Sequence, residues 1–138
     1  MRAPRLLGSL AAAATAAGVL AACGSSSSAS KPAYCADRSA LEQSVSDLKN
    51  VDLASGGLSA VQTQLSKVDA DAKALAGSAK ADFPQQTSAI SSSVSALDTS
   101  VTSLGSSPSA QDLLGLGQGI AGVVTASKGF SDATAGKC

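Results

Sequence analysis

From Leu41 onward, apolar residues recur at alternating steps of three and four, the spacing of helices that each turn one face to a core. Leu41, Val45 and Leu48 predict a first helix over about Asp37 to Asn50, with Ser39 and Glu42 at capping-box spacing near its start. Val51 to Gly57, which contains Gly56-Gly57, reads as a loop. Leu58, Val61, Leu65, Val68, Ala72, Leu75 and Ala79 then hold the pattern without a break, so a second helix is expected over about residues 58–81. Phe83-Pro84 interrupts it, because a residue before proline avoids the helical region while proline itself suits a helix's first turn. A third helix follows to about Leu104, with Ile90, Val94, Leu97, Val101 and Leu104 inward and the serines among them outward. Gly105-Ser106-Ser107-Pro108 separates it from a fourth, for which Ser107 is the expected N-cap and Pro108 the first helical residue. Leu113, Leu116, Ile120, Val123 and Phe130 form the inward face of this last helix, which should end near Ala133. No window alternates with period two, so no strand is expected.

Four helices joined by short connections favour antiparallel neighbours, and the predicted fold is all-α, an up-down-up-down four-helix bundle. A three-helix bundle with a loose, Gly-rich fourth segment is the alternative. In the four-helix topology the start of the first helix, the connection around Phe83 and the end of the fourth helix share one end. Tyr34, Phe83 and Phe130, the only aromatic residues of the chain, should therefore gather there, as a plug closing the base or, alternatively, as a contact with a lipid headgroup region.

Upstream of the helical region the pattern changes. Arg2 and Arg5 precede a stretch without charge from Leu6 to Ala22, which is the layout of a secretory signal and too rich in small residues for a membrane span. Gly24 to Pro32 has no apolar periodicity, is dominated by serine and reads as a tether.

Composition narrows the chemistry. Without histidine the chain has no imidazole base or ligand, and three cysteines cannot form a four-thiolate metal site. Ten basic and ten acidic residues leave no net charge, and aromatics make up 2% of the chain, so nucleic acid finds neither an electrostatic footprint nor a stacking platform. Neither a cofactor nor a metal is expected.

The leader ends in Leu20-Ala21-Ala22-Cys23, followed by Gly24-Ser25. This segment resembles the lipobox of the bacterial lipoproteins, and the whole chain resembles in layout the small Ala- and Ser-rich helical lipoproteins of actinobacteria. The resemblance implies that residues 1–22 are a signal peptide removed in maturation and that Cys23 carries a diacylglyceryl group. The mature protein would then be held at the outer face of the cell membrane. Two acyl chains on one residue meet the requirement that stable anchoring takes two signals. Residues 23–34 would comprise the lipidated cysteine and tether, and residues 35–138 the bundle.

With Cys23 assigned to lipid, Cys35 and Cys138 remain. One cysteine pair in an exported domain usually forms a disulfide, and the bundle topology brings the start of the first helix beside the end of the fourth. A structural bridge between Cys35 and Cys138 is therefore expected.

Several local matches to catalytic motifs fail on context. Gly117-Gln118-Gly119-Ile120-Ala121-Gly122 fits the dinucleotide fingerprint, but that motif needs a strand before it and a helix opening at its glycines. Gly115, Gly119 and Gly122 instead make a stripe along which another helix can approach closely. Ser46-Asp47-Leu48-Lys49 and Ser28-Ala29-Ser30-Lys31 match the S-x-x-K of penicillin-recognising enzymes, whose companion S-D-N and K-T-G elements are missing. Asp69 with Asp71, and Asp47 with Asp52, lack the loop spacing of a calcium site. The expected function is thus non-catalytic: a membrane-anchored extracytoplasmic module that binds a protein or envelope partner, or serves the envelope structurally. The alternative is a carrier or sensor that holds an apolar ligand between its helices. An internal apolar cavity would mark the carrier; a filled core with exposed apolar surface would mark the partner module.

Overall fold

The computed structural model describes residues 30–138, except the side chain of Ala54. The expected signal peptide, Cys23 and the tether up to Ala29 lie outside the described residues. Four helices account for the rest: α1 (Ala33–Lys49), α2 (Leu53–Ala79), α3 (Pro84–Ser103) and α4 (Ala110–Ala133). Each packs on the next and α4 returns to α1, so the domain is a four-helix bundle, with the α1–α4 seam the least extensive. Polar contacts fix the antiparallel register. Ser78 near the end of α2 donates to Asp37 near the start of α1 (2.6 Å), and Lys67 reaches Asp47 at 3.8 Å. Across the other seam Arg38 donates to Thr134 Oγ1 at 3.1 Å.

Three element boundaries differ from the expected ones for local reasons. Proline 32 initiates α1, and the Cys35 N–H donates to its carbonyl at 2.9 Å. Ala33 and Tyr34, expected in the tether, are therefore helical, and the bundle begins before residue 35. Ser39 and Glu42 consequently lie inside the helix rather than at its cap: Ser39 donates to the Cys35 carbonyl, while Glu42 pairs with Arg38 and accepts from Ser131. Between α1 and α2 the glycine pair makes a kink instead of a long loop. One turn forms over Leu53 to Gly56, and Gly57 then takes φ 60°, ψ −165°, a conformation that favours glycine.

The start of α4 falls at Ser109, not Ser107. The Ser109 hydroxyl accepts from the Asp112 N–H (3.2 Å) and the Asp112 carboxylate accepts from the Ser109 N–H (2.8 Å), a reciprocal capping box. The hydroxyl and then the backbone N–H of Ser109 hold the Asp112 carboxyl below its ordinary pKa. The third helix keeps its expected start, with Phe83 at the N-cap and Pro84 in the first turn.

The inward positions merge into one apolar core contributed by all four helices. Leu41, Leu48, Val68, Leu75, Leu97, Val123 and Phe130 are essentially inaccessible to solvent. Leu58, Leu104 and Ile120, expected inside, are half-buried, and Leu113 is 42% exposed. All four lie at the end away from the chain's entry into α1. The cause is length: α1 has 17 residues, whereas the unbroken part of α2 beyond the Gly57 kink covers residues 58–79, a shortfall of about 7–8 Å at 1.5 Å per residue. Beyond Lys49 the fourth corner of the bundle passes to Asn50, Val51 and Asp52 and the short turn before Gly57.

Candidate functional site

At the end where the chain enters α1, the geometry is that of a closed base. The sulfur atoms of Cys35 and Cys138 lie at disulfide distance, 2.12 Å, with their Cα atoms 5.5 Å apart. Tyr34, Phe83 and Phe130 are all buried and meet edge to face, with ring centroids 5.4 Å apart for Tyr34–Phe83 and Phe83–Phe130 and 6.3 Å for Tyr34–Phe130. Such contacts place the positive edge of one ring against the negative face of another. The Lys137 ammonium stands 4.8 Å from the Phe83 ring centroid on the outer side of this plug. Thr134 is wholly buried beside it, its hydroxyl donating to the Phe130 carbonyl at 2.9 Å. The expected aromatic plug and the expected cysteine pair are thus one structure.

The grooves between helices are open and polar at their rims. Between α2 and α3 a surface recess of about 550 Å³ has Leu65, Val94 and Val101 as its floor and Ser66, Asp69, Asp98 and Thr102 on its walls. Asp69 is already paired with Lys73 at 2.6 Å, and the hydroxyls of Ser66 and Thr102 donate to carbonyls of their own helices. A second recess of about 340 Å³ follows the α1–α4 seam, between Ser46 and Lys49 on one side and Val124, Ser127 and Lys128 on the other. Neither is an enclosed apolar chamber of the kind a carrier needs.

The catalytic-motif matches are separated from any such chemistry. Gly117 to Gly122 lies in the interior of α4, which opens at Ala110, so its first backbone N–H groups are committed to helix bonds rather than to a phosphate. Gly119 lies against α3: a Cβ there would come within 2.9 Å of Leu97 Cδ1, whereas none of Gly115, Gly117 and Gly122 has a neighbour within reach of one. The expected small-residue stripe is therefore used for close approach at Gly119. Ser46 and Lys49 occupy the last turn of α1, both exposed, and Ser28 of the second match lies outside the described residues. Asp47 pairs with Lys67, and Asp52 accepts from the Ser55 hydroxyl at 2.9 Å. Among the described residues no group of three or more acidic, cysteine or histidine side chains is placed to hold a metal ion, and no helix is long and apolar enough to cross a membrane.

At the opposite end the surface changes character. Leu53, Leu113 and Leu114 are 43%, 42% and 65% exposed, the large apolar side chains that the bundle leaves open to solvent among the described residues. Sequence periodicity placed Leu113 inside and did not single out Leu53 or Leu114. The signal available was the pair Leu113-Leu114 itself, since two adjacent leucines cannot both face one core from one helix. Comparison with protein families, with curated proteins and with solved structures finds no match for this chain.

Proposed function

We propose that the protein is a lipid-anchored, extracytoplasmic helical module without catalytic activity, which binds a protein partner or an element of the cell envelope. The observation that carries this reading is the division of apolar surface: one continuous core inside, and exposed leucines gathered at the end farthest from Lys31 and Pro32. A carrier of an apolar ligand would invert that division, with an empty interior and a polar exterior. The anchor rests on the lipobox-like Leu20-Ala21-Ala22-Cys23. A lipid on Cys23 would tether the bundle through its base, because the serine-rich segment leads into Pro32 and α1. The leucine-bearing end would then point away from the bilayer.

Intact-mass analysis and metabolic lipid labelling test the anchor. The mature chain should begin at a diacylglyceryl-modified Cys23, and Cys23→Ala should abolish labelling. A mature N-terminus elsewhere, or an unlabelled wild type, refutes the anchor. Pull-down from native membranes, with Leu114→Ser as the control, tests the binding reading: a partner retained by the wild type and lost by the variant supports it, and retention of a soluble apolar ligand by the purified protein refutes it.

A further inference from the structure

The four seams of the bundle are not equivalent. Short connections, residues 50–52, 80–83 and 104–109, join α1 to α2, α2 to α3 and α3 to α4, whereas α1 and α4 meet without one. That fourth seam is also the least extensive in packing, so the bundle is two hairpins, α1–α2 and α3–α4, held along α2–α3 and closed on the other side by weaker contacts. What fastens the closing side lies at the base: Arg38 donates to Thr134, Ser131 donates to Glu42, and the Tyr34 ring meets Phe130. Above Glu42 the two helices part around the recess of about 340 Å³, which reaches the buried Val45 and Ser127. Lys128 on its rim turns to Asp132 of its own helix at 3.0 Å. The Cys35–Cys138 bridge crosses this same seam, tying the start of α1 to the segment that follows α4 where packing joins them least.

The bridge is reachable from solvent, and from one side. A recess of about 360 Å³ opens on it, with Lys31, Pro32, Ala36 and Arg38 beside the two cysteines. Cys138 is half-exposed, whereas Cys35 is buried. A thiolate displaces one sulfur of a disulfide from the other along the line of their bond, so an attacker arriving from solvent meets Cys138 Sγ with Cys35 Sγ behind it. The Lys31 and Arg38 cations favour an anionic nucleophile in that recess. The departing charge falls on Cys35 in the first turn of α1, where the positive end of the helix dipole favours an anion and no acidic residue opposes it.

We propose that the Cys35–Cys138 bridge is a reducible clasp on the α1–α4 seam, opened by a protein dithiol that attacks Cys138. A thiolate of the dithiol forms a bond to Cys138 Sγ, the Cys35–Cys138 bond breaks, and its electron pair leaves on Cys35 Sγ, which takes up a proton. The second thiol of the dithiol then attacks its partner sulfur in the mixed disulfide and releases Cys138 as a thiol. Two electrons and two protons thus pass to the clasp, and the dithiol becomes a disulfide. The reduced bundle keeps the noncovalent contacts of its closed form but opens along α1–α4 far more often, uncovering Val45 and Ser127. This goes beyond partner binding and depends on neither that reading nor the lipid anchor.

The test uses the full wild-type chain and a protein dithiol of the Cys-x-x-Cys type whose second cysteine is replaced by serine, which halts the exchange at the mixed disulfide. Mass spectrometry of the digested adduct should place the dithiol protein on Cys138. Carbene footprinting before and after reduction with dithiothreitol should show labelling of Val45 and Val124 in the α1–α4 recess rising roughly tenfold. Leu65 and Val94, on the floor of the α2–α3 recess, should keep their labelling while circular dichroism stays helical, and reoxidation should restore the starting pattern. Four results overturn the proposal: no adduct, an adduct on Cys35, labelling that rises equally in both recesses or in neither, or loss of the helical signal on reduction. The second recess separates opening of one seam from general loosening, and no substitution in the chain is needed. Because no arm reads lipidation or partner binding, failure here leaves both of those readings standing.

Discussion

Removing the covalent link at the base should destabilise this domain strongly while leaving its core intact. The cleaner perturbation is Cys138→Ser, because Cys138 is half-exposed, whereas Cys35 is buried and a hydroxyl there would carry its own desolvation cost. The separation of 103 residues between the two cysteines means that the bridge constrains nearly the whole unfolded bundle. In the chain-entropy treatment, closing a loop of that size is worth about 4.7 kcal/mol. Opposing this loss are the noncovalent contacts of the tail: the buried Thr134, its hydrogen bonds to Arg38 and Phe130, and Lys137 over Phe83. These persist in the folded variant, so they do not replace the lost constraint, which acts on the unfolded chain. For a domain of this size about 4 °C in Tm accompanies each kcal/mol, and the expected fall is roughly 15–20 °C. Urea and thermal unfolding followed by circular dichroism measure it, with the urea slope rising because the released chain exposes more surface when unfolded. Adding Cys35→Ser to Cys138→Ser should cost only the hydroxyl's burial, since the bond is already gone. A Tm within 3 °C of the wild type for Cys138→Ser, or the same Tm for the wild type with and without reductant, would refute the reasoning.

Core and surface should respond oppositely to the same charge. Leu65→Asp or Val94→Asp puts an unpaired carboxylate at a buried position and should unfold the domain, while Ser92→Asp on the exposed face should leave the circular dichroism unfolding curve unchanged. The two glycines of α4 that differ in surroundings should also separate. Gly129→Ala, exposed and with nothing near its would-be Cβ, should stabilise by up to about 1 kcal/mol, whereas Gly119→Ala must displace the buried Leu97 side chain and should destabilise. Equal shifts for the pair in urea unfolding would show that α3 and α4 do not approach closely at Gly119.

The sequence by itself determined the elements and their inward faces, because these depend on local periodicity and breakers, and its short connections favoured the four-helix topology over a three-helix bundle with a loose fourth segment. Leu41, Val61, Leu65, Val94, Leu97 and Val123 fall where their spacing puts them, and Phe83-Pro84 separates two helices as backbone sterics require. Topology then sufficed to bring Cys35 beside Cys138 and to collect the three aromatic rings, since in an antiparallel bundle both ends of the chain meet at one base. Local chemistry legible but misweighted explains the shifted starts: Ser109-Ala110-Gln111-Asp112 is the better cap for α4, and Pro32 the initiator of α1. Which apolar residues stay exposed was decided only by the tertiary structure. Leu113 has the same inward spacing as Leu116, yet one is open to solvent and the other is sealed. The difference is set by how far α1 extends alongside α4, a relation between the lengths of two helices some sixty residues apart in sequence. Periodicity describes one helix at a time and says which way a side chain points; whether anything stands there to cover it depends on where its neighbours end.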